Sequence, residues 1–138
     1  MVARVRPVPD GWQTTPDRIV LEHGRAYTVT AKTFKGKRGR QGACYMNAGR
    51  IAMDTELTYV EGYVSLDGFP IQHAWLADAD GNVIDPTLKP TAGTEFAYFG
   101  VPFSRDFLRE TALRTQYWGV LSLEHNRQLF ETGYTPDA

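Results

Sequence analysis

Three residues of the chain could together perform nucleophilic catalysis: Cys44, His73 and Asp85. A cysteine attacks as the thiolate, and it needs a base that takes its proton and a third group that orients that base. Cys44 is the only cysteine of the chain, and a lone cysteine is more often a buried, inert core residue. The order cysteine, histidine, aspartate, with the last two in one short segment, nevertheless favours a nucleophile with its base and orienting group.

The sequence around Cys44 indicates that this residue begins a helix. Residues 35–42, "KGKRGRQG", predict a basic loop, and residues 44–53, "CYMNAGRIAM", predict a helix. The partial positive charge and the unpaired N–H groups at a helix start favour a thiolate. The backbone N–H of Cys44 is the best candidate to bind an oxyanion. Asn47, one turn along the helix, is a further candidate for polar contact with the oxyanion or substrate, and its alternative role is a structural hydrogen bond.

His73 and Asp85 lie on two strands of one predicted hairpin. If residues 79–81 form a three-residue loop, with Gly81 at positive φ, Trp75 faces Asp85 and His73 lies diagonal to Asp85 on the same face. A two-residue turn would place His73 and Asp85 on opposite faces. Catalysis by this pair therefore requires the odd-length loop. The alternatives are a half-buried strand histidine and a turn aspartate ahead of a proline.

Two further side chains bear on this site. Trp75 follows His73 by two residues, so it shares a strand face with it and is a candidate to wall the substrate cleft or to shield the His73–Asp85 pair from water. Glu61 is more readily interpreted as a solvated edge charge than as part of the site.

The remaining pattern predicts a single α+β domain over residues 1–138 with a mainly antiparallel sheet. Residues 1–18 are rich in proline and polar residues and predict an extended lead-in, and residues 68–70, "GFP", predict a turn. Strands are predicted over residues 25–34, 57–66, 71–78, 82–88 and 117–123, and residues 96–103 suit a strand or an ordered loop. Further helices are predicted over residues 104–116, with Ser104 as N-cap, and over residues 124–131.

Composition narrows the function classes. The 138 residues are 42% hydrophobic and 22% charged, with a net charge of −1, which argues against a general nucleic-acid binder. Four cations, Lys35, Lys37, Arg38 and Arg40, suit a solvated loop first and a loop gating the site second. No apolar run suits a membrane helix, no leader is evident and one cysteine suits a reducing compartment, so we expect a cytoplasmic protein.

The sequence holds no motif for a cofactor. Cys44, His73 and Asp85 are possible zinc ligands, but three scattered ligands without a close pair are a weak metal signal. A glycine-rich phosphate loop and a dinucleotide fingerprint are also lacking. We therefore expect neither a metal nor a cofactor.

Cys44 at a helix start, "HAW" at residues 73–75 and "DPT" at residues 85–87 together resemble the transglutaminase-like and wider papain-like superfamily of Cys-His-Asp enzymes. The resemblance covers residues 41–87 and implies a papain-like core, in which a helix carrying the cysteine packs on an antiparallel sheet or barrel. It implies that Cys44 is the nucleophile, that His73 is the general base and acid, and that Asp85 holds the imidazole. Gln41 would correspond to the glutamine that helps form the oxyanion hole in many papain-like enzymes. The spacing from Cys44 to His73 is short, so an insertion found in larger relatives is missing.

The expected function is that of a thiol hydrolase or acyltransferase. It would cleave or transfer an amide or acyl group of a protein, peptide or small amide through a thioester. Water as the acceptor makes it a protease, amidase or deamidase, and an amine makes it transglutaminase-like. One alternative is an inactive binding module with the same fold. The weakest alternative is a nucleic-acid accessory protein that uses the four loop cations.

Overall fold

The computed structural model describes residues 7–40 and 42–136. These residues form an α+β structure in which a curled, antiparallel five-stranded sheet is combined with four helices. The strands are β1 Arg25–Tyr27, β2 Thr58–Leu66, β3 Phe69–Ala77, β4 Val83–Ile84 and β5 Phe96–Phe103. The helices are α1 Pro16–His23, α2 Cys44–Asp54, α3 Arg105–Thr115 and α4 Arg127–Thr132.

The sheet curls until its two edges touch. Its strand order is β1-β5-β2-β3-β4, and each neighbouring pair is antiparallel. Just after β1, the N–H of Thr28 donates to the carbonyl of Gly81 at 3.0 Å, and the N–H of Val83 donates to the carbonyl of Thr28 at 2.8 Å. These bonds join the β1 edge to the β4 edge, so the sheet has an inner face and an outer face.

Each face of the sheet carries its own hydrophobic cluster, because successive side chains of a strand point to opposite faces. The outer cluster packs against the helices and includes Ala74 and Leu76 of β3. The inner cluster fills the curl, and its buried members are Tyr27, Val60, Val64, Trp75, Ala77, Val83 and Tyr98. His73 alternates in step with Trp75 and therefore faces the inner side.

Two glycines make room for the inner cluster. Gly62 of β2 lies opposite Gly100 of β5. A Cβ at Gly62 would lie 2.4 Å from the carbonyl oxygen of Phe99, and a Cβ at Gly100 would lie 2.8 Å from the Trp75 ring. Real Cβ atoms do not approach other atoms this closely, so larger residues here would push the strands apart and displace the indole.

Several elements agree with the sequence-based expectations. Helix α2 begins at Cys44, as predicted. Ser104 caps α3, since its hydroxyl accepts the N–H of Phe107 at 3.1 Å. Residues 96–103 form a strand, β5. Over the described residues, no helix combines the length and apolar character needed to cross a membrane.

The N-terminal expectations were partly wrong. Residues 1–6 of the predicted extended lead-in lie outside the described residues, but Pro16 opens α1 behind the N-cap Thr15, whose hydroxyl accepts the N–H of Arg18 at 3.3 Å. Proline suits the first helical position because its missing N–H would be unpaired there anyway. The strand predicted over residues 25–34 ends at Tyr27, because the Thr28 backbone bonds to the opposite edge of the sheet instead of continuing along β5.

The predicted turn at residues 68–70 was also wrong. Leu66 pairs with Phe69, so the turn consists of Asp67 and Gly68, at φ 50° and 86°. Asp-Gly with two positive φ values is the favoured two-residue hairpin turn. Strand β4 is likewise only Val83–Ile84 rather than residues 82–88.

Candidate cysteine–histidine–aspartate site

The β3–β4 hairpin has the three-residue loop that the site requires. Ala77 pairs with Val83, and the N–H of Asp78 donates to the carbonyl of Asn82 at 3.1 Å. Residues 79–81 are thus the loop, and Gly81 has φ +82°. This register is confirmed, and it places His73 and Asp85 on one face of the hairpin.

His73 and Asp85 form a buried, hydrogen-bonded pair. Nε2 of His73 lies 2.8 Å from Oδ2 of Asp85. The same Oδ2 accepts the hydroxyl of Tyr98 at 2.8 Å, while Oδ1 accepts the N–H groups of Thr87 at 2.8 Å and Leu88 at 2.9 Å. Four donors therefore fix one carboxylate, and the local sequence Asp-Pro-Thr supplies two of them through a turn of the kind that aspartate favours.

The electrostatics of Asp85 favour its ionised form. Burial by itself would raise the pKa of Asp85. The hydrogen bond and charge of His73 and the two backbone N–H groups outweigh that effect and lower the pKa. Asp85 is thus a stable negative charge behind the imidazole.

Cys44 begins α2, where it is half-buried, and its thiol lies close enough to His73 to raise the pKa of the imidazole. Because Nε2 of His73 is engaged by Asp85, Nδ1 is the nitrogen left for the sulfur. Burial would lower the pKa of His73, but the hydrogen bonds and charges of Asp85 and Cys44 raise it to about 9.

The start of α2 leaves backbone donors beside the sulfur. Gly42 has φ +87°, and the N-cap residue is Ala43, which makes no side-chain capping bond. The first N–H groups of a helix have no partner within the helix, and they attract negative charge. The N–H of Cys44 is thus placed to bind an oxyanion next to the thiol.

Trp75 covers the His73 ring from within the curl. The two rings stack with centroids 6.1 Å apart and planes 19° apart, and the Trp75 side chain is fully buried. A side chain without exposed surface cannot contact a substrate in this state. The position of Trp75 fits the shielding role, in which the indole keeps water from the His73–Asp85 pair.

Gln41 and Asn47 are the two other predicted contributors to the site. Gln41 lies outside the described residues. The side-chain amide of Asn47 donates to the carbonyl of Arg40 at 3.1 Å and to the hydroxyl of Thr87 at 2.9 Å. Both amide hydrogens of Asn47 are thereby used to tie the basic loop to the segment after Asp85, which is the structural role considered for it.

The basic loop lies beside the site. The N–H of Gly39 donates to the carbonyl of Pro86 at 2.9 Å, and the charge of Arg38 is close enough to Tyr98 to lower the pKa of that phenol slightly against a larger increase from burial and Asp85. The loop is therefore held against the residues that follow Asp85.

Two residues of the region have roles that the sequence did not reveal. Tyr98 belongs to the inner cluster and also donates to Asp85. Glu61 was interpreted as a solvated edge charge, which is wrong: it is 3% exposed and accepts the Tyr59 hydroxyl at 2.8 Å and the N–H groups of Val120 at 2.8 Å and Leu121 at 2.7 Å. The apolar neighbours of Glu61 in "YVEGYV" were the signal that this carboxyl is buried.

No group of three or more His, Cys, Asp or Glu side chains within residues 7–40 and 42–136 is arranged to hold a metal ion. Comparisons of the chain with models of protein families, with curated proteins and with solved structures gave no match.

Proposed function

We propose that the protein is a cysteine-dependent enzyme with a papain-like core, which cleaves or transfers an amide or acyl group through a thioester. The observation that carries the proposal is the position of His73, whose ring is hydrogen-bonded to Asp85 and lies close enough to Cys44 for the thiol to raise the pKa of the imidazole. This is the linear order of nucleophile, base and orienting group that acyl transfer requires.

The raised pKa of His73, about 9, supports a protonated imidazole at neutral pH. A protonated imidazole donates from both nitrogens. One nitrogen meets Asp85, and in this proposal the other donates to the sulfur of Cys44. This arrangement favours the thiolate, which is the nucleophilic form of cysteine.

The proposed reaction has two stages, formation of a thioester on Cys44 and its resolution. Sγ of Cys44 attacks the carbonyl carbon, and the oxyanion that forms is bound by the N–H of Cys44. His73 gives its proton to the departing amine as the C–N bond breaks, which leaves a thioester. Water or a second amine attacks the thioester and gives a proton to His73, and the Cys44 thiolate departs.

The substrates that suit this chemistry are proteins, peptides or small amides, and the compartment that suits a single reactive cysteine is the reducing cytoplasm. The same fold without turnover, as a binding module, is the alternative that the following experiment separates.

The test measures how fast iodoacetamide alkylates Cys44 as a function of pH, by intact-protein mass, in the wild type and in His73→Ala. Because Cys44 is the only cysteine, each mass increment reports this thiol, and Cys44→Ser gives the background. His23→Ala, which removes a histidine on α1, is the matched control. We expect fast labelling of the wild type and His23→Ala below the ordinary thiol pKa of about 8.5, and slow labelling of His73→Ala.

Slow labelling that does not depend on His73 would remove the nucleophile from the proposal. The protein would then be a fold of this kind whose use is binding. Fast, His73-dependent labelling would justify a search for the substrate with acyl probes.

A further inference from the structure

A cleft of about 360 Å³ is lined by Tyr45, the residue after Cys44, and by Gln72, the residue before His73. Tyr117 and Glu61 also line it. Burial, and then nearby charges that include Cys44, raise the pKa of both tyrosines, so Cys44 lies near this space. We call it the tyrosine cleft.

The walls of the tyrosine cleft are aromatic and fixed. The rings of Tyr45 and Tyr117 lie 6.3 Å apart at an angle of 45°. One face of Tyr117 is covered by His125, which stacks on it at 3.8 Å with planes 7° apart, so the ring is held in place. The electron-rich faces of tyrosine rings attract cations.

The floor of the tyrosine cleft is the buried carboxyl group of Glu61, whose pKa is raised by burial and lowered only in part by its hydrogen bonds. All three groups bonded to Glu61 are donors: the hydroxyl of Tyr59 and the N–H groups of Val120 and Leu121. Such a set suits a carboxylate, which can only accept. None of the ion pairs found among residues 7–40 and 42–136 includes Glu61.

A buried carboxylate without a cation is costly, and three hydrogen bonds offset the cost only in part. The other charged residue that lines the cleft, Glu124, is also acidic and lies exposed. The cleft therefore combines two acidic groups, Glu61 and Glu124, with two aromatic walls, and a bound cation would favour the ionised form of Glu61.

We propose that the tyrosine cleft is a specificity pocket that binds a cationic side chain, lysine or arginine, of a peptide substrate attacked by Cys44. This inference rests on the proposed function. The cation would approach Glu61 and the Tyr117 face, while the carbonyl of the substrate lies at the thiol.

The experiment compares four chloromethyl ketones that share one electrophile and differ in the side chain: lysine, arginine, norleucine and glutamate. The rate of Cys44 labelling is divided by the rate with iodoacetamide, which removes differences in thiol reactivity. We expect the lysine or arginine reagent to react about tenfold faster than norleucine, as one charged contact allows, and glutamate to be slowest.

Two variants test whether the tyrosine cleft causes the preference for the lysine reagent over the norleucine reagent. Glu61→Gln and Tyr117→Leu should each reduce the ratio of lysine to norleucine toward one. Tyr117→Leu keeps an apolar wall without the π face, so it remains informative if Glu61→Gln does not fold. A wild-type ratio near one, or a ratio unchanged in Tyr117→Leu, would overturn the proposal.

A binding measurement separates this proposal from the proposed function. Nα-acetyl-lysine amide, but not its norleucine analogue, should shift the amide signals of Val120 and Leu121 in NMR spectra, even of Cys44→Ser. If labelling of Cys44 does not depend on His73 but the NMR shifts are observed, the proposed enzyme function is wrong and the cleft is only a cation-binding site. The absence of shifts would overturn the cation site itself, and shifts without a rate preference would detach the cleft from Cys44.

Discussion

His73 and Tyr98 donate to the same atom: Nε2 of the imidazole and the phenol oxygen each lie 2.8 Å from Oδ2 of Asp85. The two donors come from different strands, β3 and β5, and both rings belong to the inner face of the curled sheet. The carboxylate is therefore fixed from two directions, and the contribution of each donor can be measured separately.

Replacing Asp85 should affect reactivity far more than replacing Tyr98. Asp85→Asn removes the charge that keeps His73 protonated, so we expect alkylation of Cys44 near neutral pH to slow by about tenfold or more, as one unit of pKa implies. Tyr98→Phe removes one of four donors, so we expect a loss of about 1 kcal/mol in the free energy of unfolding and a much smaller change in rate. Alkylation kinetics and urea denaturation of both variants check this, and equal rates in the two would contradict the assigned role of Asp85.

The ring of His73 should lose its proton at an unusually high pH. Its pKa of about 9 exceeds the unfolded value of about 6.5, so folding favours the protonated ring. The stabilisation is complete below about pH 6.5 and is lost as the pH rises through 9, and a shift of this size corresponds to about 3 kcal/mol. The ¹⁵N shifts of the His73 ring should show the midpoint directly.

Variants of both partners test the cause of that titration. Cys44→Ser and Asp85→Asn should each lower the His73 midpoint, because each weakens an interaction that favours the charged ring. A wild-type midpoint at or below the ordinary value would show that burial dominates and would argue against a charged Cys44–His73 pair.

The loop that sets the hairpin register can be tested with two matched glycines. Gly81 in the β3–β4 loop and Gly68 in the β2–β3 turn have φ values of +82° and +86°, and a Cβ at either would meet no atom within 4 Å. Alanine at each position should therefore cost a similar free energy of unfolding, about 1 kcal/mol, from backbone strain alone.

Only Gly81→Ala should also slow the alkylation of Cys44, because only that loop places His73 beside Asp85. Urea denaturation and the labelling rate of both variants provide the comparison. A labelling rate that falls equally in Gly68→Ala would mean that general destabilisation, and not register, controls the thiol.

Glu61 should stabilise the segment that follows α3. Glu61→Gln presents an amide to three donors, so we expect a loss of about 1–3 kcal/mol in the free energy of unfolding and faster hydrogen exchange at Val120 and Leu121. Tyr59→Phe removes only one of the donors and should cost about 1 kcal/mol. Unchanged exchange at both amides in Glu61→Gln would show that the segment is held by packing instead.

The geometry of the candidate site was accessible from the sequence because its signals are local. The hairpin register follows from the length of one loop, with Gly81 at the position that needs positive φ. The fixed carboxylate follows from "DPT", since Asp85 binds backbone groups only two and three residues away. The contact of Asp85 with Tyr98 spans two strands, and strand pairing at that distance leaves no local pattern.

The wrong strand prediction for residues 117–123 results from a contact between residues that are far apart in the chain. Residues 117–123, "YWGVLSL", have strand composition, yet they form no strand. The Glu61 side chain takes the backbone N–H groups of Val120 and Leu121, which a strand would have used for its neighbour. A buried carboxylate 59 positions away in the chain thus overrides the strand propensity of residues 117–123. The composition of that segment alone does not reveal this partner.

The position of β5 affects when the surroundings of Asp85 are completed during synthesis. Among the described residues this is the last strand along the chain, but it inserts between β1 and β2. A ribosome therefore releases Cys44, His73 and Asp85 before it releases Tyr98, which donates to the carboxylate. Since strand pairing over long separations is slow, the network around Asp85 is completed only when a strand that contains none of these three residues has joined the sheet.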